Sequence, residues 1–442
     1  MGSARIAIPG IRLGTAAAGI KYADREDLVV VEMGQAATCA AVFTRNAFCA
    51  APVQLARRHL TRESPRYLLI NSGNANAGTG QQGIRDALDS CLALATTAGC
   101  KAEQVLPFST GVIGENLPVE AIRGAIPGAM SGLRDEGWDA ASRAIMTTDT
   151  RPKLKTRQFE FEGVQVALCG MAKGAGMIRP DMATMLAFLA TDLSVSQALL
   201  KECLVNAVKP SFNSITVDGD TSTNDACVLM ASGASSLEPV VDRDTTLYRR
   251  LEHEVTELCI DLAREIVRDG EGATKLVEIL VQGAGDEAEA RDVAYTIAHS
   301  PLVKTALFAS DPNWGRILAA VGRAGLDDLD IDRVEIWLDD ICIVRNGGRV
   351  AEYTEQAGLS VMAQDEFTIR VVLGRGGEQA QLVTCDLSYD YVKIYAQHPT
   401  HEQLTILYPS RRCSHLRCRR SSPRHQTGRP HASGGAVGIS GR

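Results

Sequence analysis

The chain has 442 residues, 45% apolar and 22% charged, which excludes a chain that is disordered throughout and predicts a folded protein of two or three structural units. Residues 411–442 hold eight arginines and no acidic residue, so subtracting these charges from the net charge of −7 leaves about −15 on residues 1–410. A body this acidic, in a chain with only 5% aromatic residues, excludes nucleic-acid binding as its main function.

The first part of the chain alternates strand-like and helical patterns. Short apolar runs predict strands at Leu28–Glu32, Cys39–Phe43 and Tyr67–Asn71. Apolar residues at three- and four-residue spacing predict helices at Gln81–Ala95 and Val119–Met130. This alternation favours a layered α/β fold over an all-helical one.

A loop followed by a buried strand is predicted within residues 170–192. The glycines at 174 and 176, within the segment 173–176, indicate a loop, and the continuous apolar run Met185–Ala190 is typical of a strand buried on both faces. Thr184 therefore stands at the first residue of this strand, directly after Ala183. A strained loop joined to a rigid strand can hold a peptide bond for attack by a neighbouring hydroxyl.

Attack of the Thr184 hydroxyl on the carbonyl of Ala183, followed by ester hydrolysis, would cut the chain. The freed α-amine of Thr184, with an ordinary pKa of about 7.7–8.0, could then act as general base for its own hydroxyl. One residue would supply both nucleophile and base. The alternative is a threonine that simply opens a buried strand, and spacing alone does not decide between the two.

The second part of the chain is again mixed α and β. Apolar residues from Leu247 to Ile266 form one stripe, and Asp269-Gly270 provides a stop signal after it, so a long amphipathic helix is predicted. Later patterns predict one further helix and three strands. The helix is Glu287–His299, and the strands are Leu276–Val281, Arg333–Leu338 and Phe367–Leu373. Soft boundaries are predicted near residues 183 and 280.

Residues 402–442 differ in composition, being rich in Arg, Ser, Gly, Pro and His, and predict a basic, disordered tail without a nucleic-acid or membrane surface. No run of about 18 apolar residues could span a bilayer, and no secretory signal is present. Twelve cysteines without a C-x-x-C pair predict reduced thiols. We therefore expect a soluble, cytoplasmic protein. The eight histidines form no ligand cluster with cysteine, so no metal site is expected.

Seven motifs in one order, between about Gly14 and Lys393, resemble the ornithine acetyltransferases (glutamate N-acetyltransferases), the monofunctional or multifunctional acyltransferases of arginine biosynthesis. The motifs are Asn71–Asn76, Ser109–Gly114, Met146–Thr150, the segment around Thr184, Asp220–Asp225, Asp269–Lys275 and Asp311–Arg316. So many motifs in a single order make the resemblance specific.

The resemblance implies a fold of sheets sandwiched between helices, layered like the N-terminal-nucleophile hydrolases. It implies autocatalytic cleavage between Ala183 and Thr184 into an α chain, residues 1–183, and a β chain, residues 184–401, ahead of the tail at 402–442. Two chains of each kind are expected to associate as an α2β2 heterotetramer. No cofactor is expected, and whether acetyl-CoA serves as an additional acetyl donor depends on access to the same threonine.

The resemblance further implies ping-pong chemistry, in which N2-acetylornithine acetylates the Thr184 hydroxyl, ornithine leaves, and the amine of glutamate takes the acetyl group. The oxyanion-hole positions of the family fall on Thr110 and Gly111, where a hydroxyl and a flexible backbone amide can both face a developing oxyanion. A Ser-Thr-Gly turn with local hydrogen bonds is the alternative for these residues.

The substrate contacts of the family map to Thr147, Lys173, Thr184 and Glu271. Lys173 can pair with a substrate carboxylate and Glu271 with a substrate ammonium group. Taken alone, Lys173 would be interpreted as a solvated loop residue and Glu271 as part of a turn. The resemblance favours the substrate contacts.

The C-terminal segment departs from the family pattern. A strand predicted at Asp390–Ile394 is followed by Tyr395 where the family has asparagine, and Thr400, at the spacing of one more substrate contact, follows Pro399. An altered pocket and a changed reading frame both fit this departure. Two further hypotheses stay open: an amidase or aminopeptidase with the same N-terminal threonine, and a self-cleaving homologue impaired in transfer.

Overall fold

The computed structural model describes residues 7–179 and 185–396. The described residues up to Tyr395 group into one compact unit. Ala183, Thr184, Thr400 and the predicted tail at 402–442 lie outside the described residues.

Helices and strands alternate along the described residues on both sides of the predicted cleavage site. Up to the predicted cleavage site they are β1 Ile11–Ala16, β2 Leu28–Met33, β3 Thr38–Phe43, α1 Ala51–Arg62, β4 Tyr67–Asn74, α2 Gly80–Ala98, β5 Val105–Val112, α3 Val119–Ser131, α4 Trp138–Ala144, β6 Lys153–Phe161 and β7 Val164–Lys173. After it they are β8 Leu186–Thr191, α5 Gln197–Val208, β9 Ala226–Ala231, α6 Thr246–Arg268, β10 Leu276–Ala284, α7 Glu287–Ala298, α8 Pro301–Phe308, α9 Trp314–Gly322, β11 Glu335–Leu338, β12 Ile341–Arg345, β13 Gly348–Arg349, α10 Glu355–Met362, β14 Glu366–Val372, β15 Glu378–Cys385 and α11 Tyr389–Ala396.

Two sheets face each other across an apolar core. A four-stranded sheet has the order β1-β2-β4-β5, and a five-stranded sheet has the order β3-β9-β8-β7-β6. Side chains of both sheets share one buried cluster, in which the rings of Phe108 and Phe188 meet edge to face with centroids 5.2 Å apart. On their outer faces, α2 and α3 cover the first sheet and α5 and α6 the second. The predicted sandwich of sheets between helices is confirmed.

The central strand β8 shows why this layering requires an apolar sequence. All six residues of β8 are buried, with Phe188 facing the other sheet and Leu189 facing the helices. A strand covered on both faces has no place for an alternating polar residue, which explains its continuous apolar run. The buried strand predicted at Met185–Ala190 is thus confirmed.

The five-stranded sheet is assembled from both sides of the predicted cleavage site. Strands β8 and β9, which follow the site, lie in the middle of the sheet, whereas β3 flanks them on one side and β7 with β6 on the other. Strands β7 and β8 are antiparallel neighbours, with Lys173 paired to Leu186. The predicted cleavage site therefore falls, in sequence, between two adjacent strands of one sheet.

A third sheet lies in the C-terminal half, with the order β13-β12-β11-β14-β10-β15, and packs against α7 and α9. The boundary predicted near residue 280 falls inside β10 of this sheet. None of the helices among the described residues is long and apolar enough to cross a membrane. Cysteines of the described residues are free thiols, as predicted.

Most predicted elements are confirmed, with ends shifted by a few residues, but two assignments are wrong. Lys173 is the last residue of β7 and not part of the loop. Asp390–Ile394 is helical and not a strand, because Ser388 accepts a hydrogen bond from the amide of Asp390 at 3.2 Å and the acidic residue in the first turn favours a helix start. Ser388 also donates to the carbonyl of Gly272 at 2.6 Å, which fixes α11 beside the Asp269–Lys275 motif.

Candidate active site

Thr110 and Gly111 lie near the end of β5, paired in parallel with β4. Gly111 has φ of +138°, and a Cβ atom there would overlap the backbone of Gly73 on β4, so only glycine fits. Thr110 is 9% exposed. Both residues belong to a strand, so the alternative of a local Ser-Thr-Gly turn is wrong.

Buried amides tie this strand end to the loop before β9. Asn224 donates its side-chain amide to the carbonyl oxygens of Ala75, at 2.6 Å, and Ser109, at 2.9 Å. The hydroxyl of Ser109 donates to Oδ1 of Asn71 at 2.6 Å. Three motifs that are far apart in sequence are therefore held together at the residue before Thr110.

The same end of the five-stranded sheet carries Lys173. The sheet register places Lys173 beside Leu186 and Leu186 beside Ala226, and the amide of Ala226 donates to the carbonyl of Met185 at 2.9 Å. Met185 is the residue that follows Thr184 in sequence. Lys173, the start of β8 and the start of β9 consequently lie in one row across the sheet.

Asp149 is the centre of a buried polar cluster next to this row. Its Oδ2 accepts the amide of Thr147 at 3.0 Å and its Oδ1 the amide of Gly174 at 2.7 Å, while Nζ of Lys173 lies 3.9 Å from Oδ2. Burial by itself raises the pKa of Asp149, but the ammonium groups of Lys173 and Lys153 lower it more, so the pKa lies well below its ordinary value. An ionised Asp149 thus fixes the backbone of Thr147 and lies close to the ammonium group of Lys173.

Glu271 is buried against the loop that leads to the predicted cleavage site. Its amide donates to the carbonyl of Ala175 at 2.8 Å, and a Cβ atom at Gly176 would overlap its carboxylate. Glu271 is 7% exposed, and its Oε2 has no hydrogen-bond partner among the described residues. A buried carboxylate oxygen without a donor is the kind of group that an ammonium ligand would satisfy.

The loop after Lys173 is anchored at several points before residue 180. The amides of Met177 and Ile178 donate to the carboxylate of Asp218, at 2.6 Å and 2.9 Å. Met177 has φ of +56°, a conformation that a residue with a side chain rarely adopts. These bonds hold the backbone at Met177 in a strained conformation.

Asp225, directly before β9, is a second buried carboxyl group in this region. It is 2% exposed, and its Oδ2 has no hydrogen-bond partner among the described residues. Burial raises the pKa of Asp225 well above its ordinary value, although Ser222 and the charge of Lys173 act in the opposite direction. This environment favours the neutral acid beside the start of β8.

The structure brings Thr147, Lys173 and Glu271 together and connects the strand end at Thr110 to the loop before β9. Sequence reasoning gave no role in the site to Asp149, Asp225 or Asp269, although each lies within a motif that carried the resemblance. Lys153 lies between motifs, in a strand whose sequence gives no sign of a buried charge. The burial of Lys173 excludes its interpretation as a solvated loop residue.

Two facing sheets between helices, with a cluster of buried charges at one end, define a layered α/β protein with a polar site for a small charged molecule. The chain belongs to the ArgJ family, whose model matches residues 12–400. The resemblance drawn from the motifs is thereby confirmed.

Individual relatives match over most of the chain. The arginine biosynthesis bifunctional protein ArgJ of Methylococcus capsulatus is 60% identical over 393 residues, which cover 89% of this chain and 96% of that protein. Its namesake from Pseudomonas fluorescens is 52% identical over 393 residues, covering 89% and 97%. The crystal structure of the ArgJ protein of Bacillus halodurans aligns with a TM-score of 0.45 and 37% identity, covering 48% of this chain and 98% of that one.

Proposed function

We propose that the protein is a glutamate N-acetyltransferase of arginine biosynthesis, which moves an acetyl group from N2-acetylornithine to glutamate. The observation that carries this proposal is the joint burial of Lys173 and Glu271 at one sheet end, in a chain whose relatives are named arginine biosynthesis bifunctional proteins. An ammonium and a carboxylate, both buried, complement the carboxylate and the ammonium group of an amino acid.

The nucleophile is Thr184, freed by cleavage after Ala183. Its hydroxyl attacks the carbonyl of Ala183, the peptide becomes an ester, and water releases an N-terminal threonine whose amine serves as base. The backbone anchored at Met177 and Ile178, and strained at Met177, supports this step, since it restricts the loop that precedes the proposed cleavage site.

Acetyl transfer then follows in two halves. The Thr184 hydroxyl takes the acetyl group and ornithine leaves, after which the amine of glutamate attacks the acetyl ester. The hydroxyl of Thr110 and the amide of Gly111 stabilise the oxyanion in each half, and Thr147 contributes to substrate binding. Ornithine and glutamate share an α-carboxylate, so Lys173 can hold both in turn.

Several further features belong to this proposal. The cleaved chains associate as an α2β2 heterotetramer in the cytoplasm, and no cofactor takes part. We propose in addition that acetyl-CoA is a second acetyl donor, which the sequence left open and which the word bifunctional in the names of the relatives supports. Thr400 makes a further substrate contact.

The proposal is tested by comparing the wild type with Thr184→Ala and Thr184→Ser. On a denaturing gel, the wild type and the serine variant should separate into residues 1–183 and 184–442, and both should form acetylglutamate from N2-acetylornithine. The alanine variant should stay uncut and inactive, because it lacks the hydroxyl. A single uncut band in an active enzyme would overturn the proposal.

Product analysis separates the competing activities. Acetate release that outpaces acetylglutamate formation would indicate an amidase, whereas normal cleavage without transfer at saturating substrate would indicate an impaired homologue. Acetylglutamate synthesis from acetyl-CoA, measured alongside, decides whether there is a second donor.

A further inference from the structure

Lys153, the first residue of β6, is a lysine enclosed by protein. Its side chain has no exposed surface, and its Nζ lies 2.6 Å from Asp149 Oδ1 and 2.6 Å from Asp269 Oδ2. Asp269 is 3% exposed at its side chain and also accepts the amide of Thr150 at 3.1 Å. One ammonium group therefore joins two carboxylates that lie 120 positions apart in the numbering.

Each of these carboxylates fixes part of the substrate site. Asp149 accepts the amide of Thr147 and lies next to the ammonium group of Lys173. Asp269 ends α6, two residues before Glu271. Because Lys153 contacts both carboxylates, the separation between Lys173 and Glu271 depends on a side chain that itself lies outside the proposed pocket.

The charges of this cluster balance. Asp149 and Asp269 contribute two negative charges, and Lys153 and Lys173 contribute two positive ones. A buried ion group of this kind is costly to desolvate and adds little to stability compared with apolar residues of the same size. Its retention is better explained by the geometry it imposes than by stabilisation of the fold.

We propose that Lys153 is a positioning residue that sets the spacing between the carboxylate-binding Lys173 and the ammonium-binding Glu271, and thereby the affinity for the amino-acid substrate. This inference rests on the proposed function of the site. Lys153 touches neither the substrate nor the reacting atoms; it acts through Asp149 and Asp269.

The test measures ornithine binding by titration calorimetry, together with kcat and KM of acetyl transfer, for the wild type and Lys153→Met. We expect about 10- to 100-fold weaker ornithine binding and a similar rise in KM. This is the size of effect expected when ornithine loses one charge-assisted contact, to Lys173 or to Glu271, because the two are no longer correctly spaced. We expect a much smaller fall in kcat, because no described hydrogen bond joins Lys153 to Thr110 or Gly111.

Lys304→Met is the matched control. Lys304 is also a buried lysine, but it donates to Thr384 and Cys385 at the end of β15. Loss of Lys304 should lower stability and leave ornithine affinity unchanged. If Lys153→Met does not accumulate as folded protein, the double variant Lys153→Met/Asp269→Asn, which removes one charge of each sign, takes its place with the same expectation.

The outcomes separate this inference from the proposed function. A folded Lys153 variant that binds ornithine as the wild type does, with only a lower melting temperature, would reduce Lys153 to a structural residue and overturn the inference. A wild type that binds ornithine without transferring acetyl would instead overturn the proposed function, and the binding comparison would still decide the role of Lys153.

Discussion

Two pairs of buried lysines in the described part of the chain differ in what receives their ammonium groups. In the C-terminal half, Lys275 donates to the carbonyl of Met362 at 2.7 Å, and Lys304 donates to the carbonyl of Cys385. At the sheet end near the proposed nucleophile, Lys153 lies between two carboxylates, and Lys173 lies 3.9 Å from its carboxylate partner.

The difference indicates which buried ammonium group is available to a ligand. The backbone carbonyls that accept from Lys275 and Lys304 are fixed parts of the fold, so those lysines connect elements of the structure. Lys173 lies beyond hydrogen-bond distance of Asp149 and has three N–H donors. Since no acceptor among the described residues takes a hydrogen bond from its ammonium group, Lys173 is suited to binding a substrate carboxylate.

The largest expected effect is on catalysis. Lys173→Met should lower kcat/KM for N2-acetylornithine by about 100-fold, since a hydrogen bond to a charged group is worth about 1.5–3 kcal/mol. Steady-state kinetics on the purified, cleaved enzyme measures this change. Lys275→Met is the control, because Lys275 donates to backbone carbonyls. An equal fall in kcat/KM for this variant would contradict the inference that only the ammonium group of Lys173 is available to the substrate.

A smaller effect is expected on stability in the other pair. Lys304→Met leaves the carbonyl of Cys385 without its donor and should lower the free energy of unfolding by about 1–3 kcal/mol. Urea unfolding of the Thr184→Ala chain, which remains one polypeptide, gives this value without a dissociation step. A substantial rise in KM for the same substitution in the active enzyme would contradict a purely structural role for Lys304.

The smallest expected effect is on the pH dependence of stability, and it arises from Asp149, the carboxylate that Lys153 and Lys173 share. The pKa of Asp149 is lower in the folded protein than its ordinary value of 3.8, so its stabilising contribution is complete above that value and is lost as the pH falls below it. The stability gap between the wild-type sequence and Asp149→Asn should therefore narrow, by up to about 1.4 kcal/mol per pH unit, below about pH 4.

Urea titrations of both proteins at pH 5 and pH 3, again with Thr184→Ala, measure this gap. Asp139→Asn is the control, because the ion pair of Asp139 with Arg143 is exposed and contributes little. A gap for Asp149→Asn that stays constant between the two pH values would show that Asp149 is not held ionised by the lysines.

Much of the fold could be predicted from periodicity, because a helix buried along one face and a strand buried on both faces each leave a recognisable pattern of apolar residues in the sequence. The stripe of α6 and the apolar run of β8 are of this kind. The helix α11 was missed because Tyr391, Val392 and Ile394 favour a strand by propensity, whereas the cap at Ser388 decides the conformation.

The site could be predicted in part, through motifs in which a residue's charge indicates the substrate group that it can bind. Lys173 and Glu271 carry such roles, and their burial agrees with them. Lys153 could not be found, because its second partner, Asp269, is 116 residues away and only the fold brings the two together. A lysine that opens a strand has the same sequence pattern whether it is solvated or enclosed.

The interleaved order of the five-stranded sheet has a consequence for how the enzyme must be produced. Strands β8 and β9 are inserted between strands that come from the other side of the cut. Two halves translated from separate messages would each present unpaired strand edges to the solvent, where aggregation competes with assembly. An intact precursor would keep the halves at high effective concentration until the sheet has closed. Under the proposed mechanism, a chain that misfolds and cannot cut itself would never acquire its nucleophile.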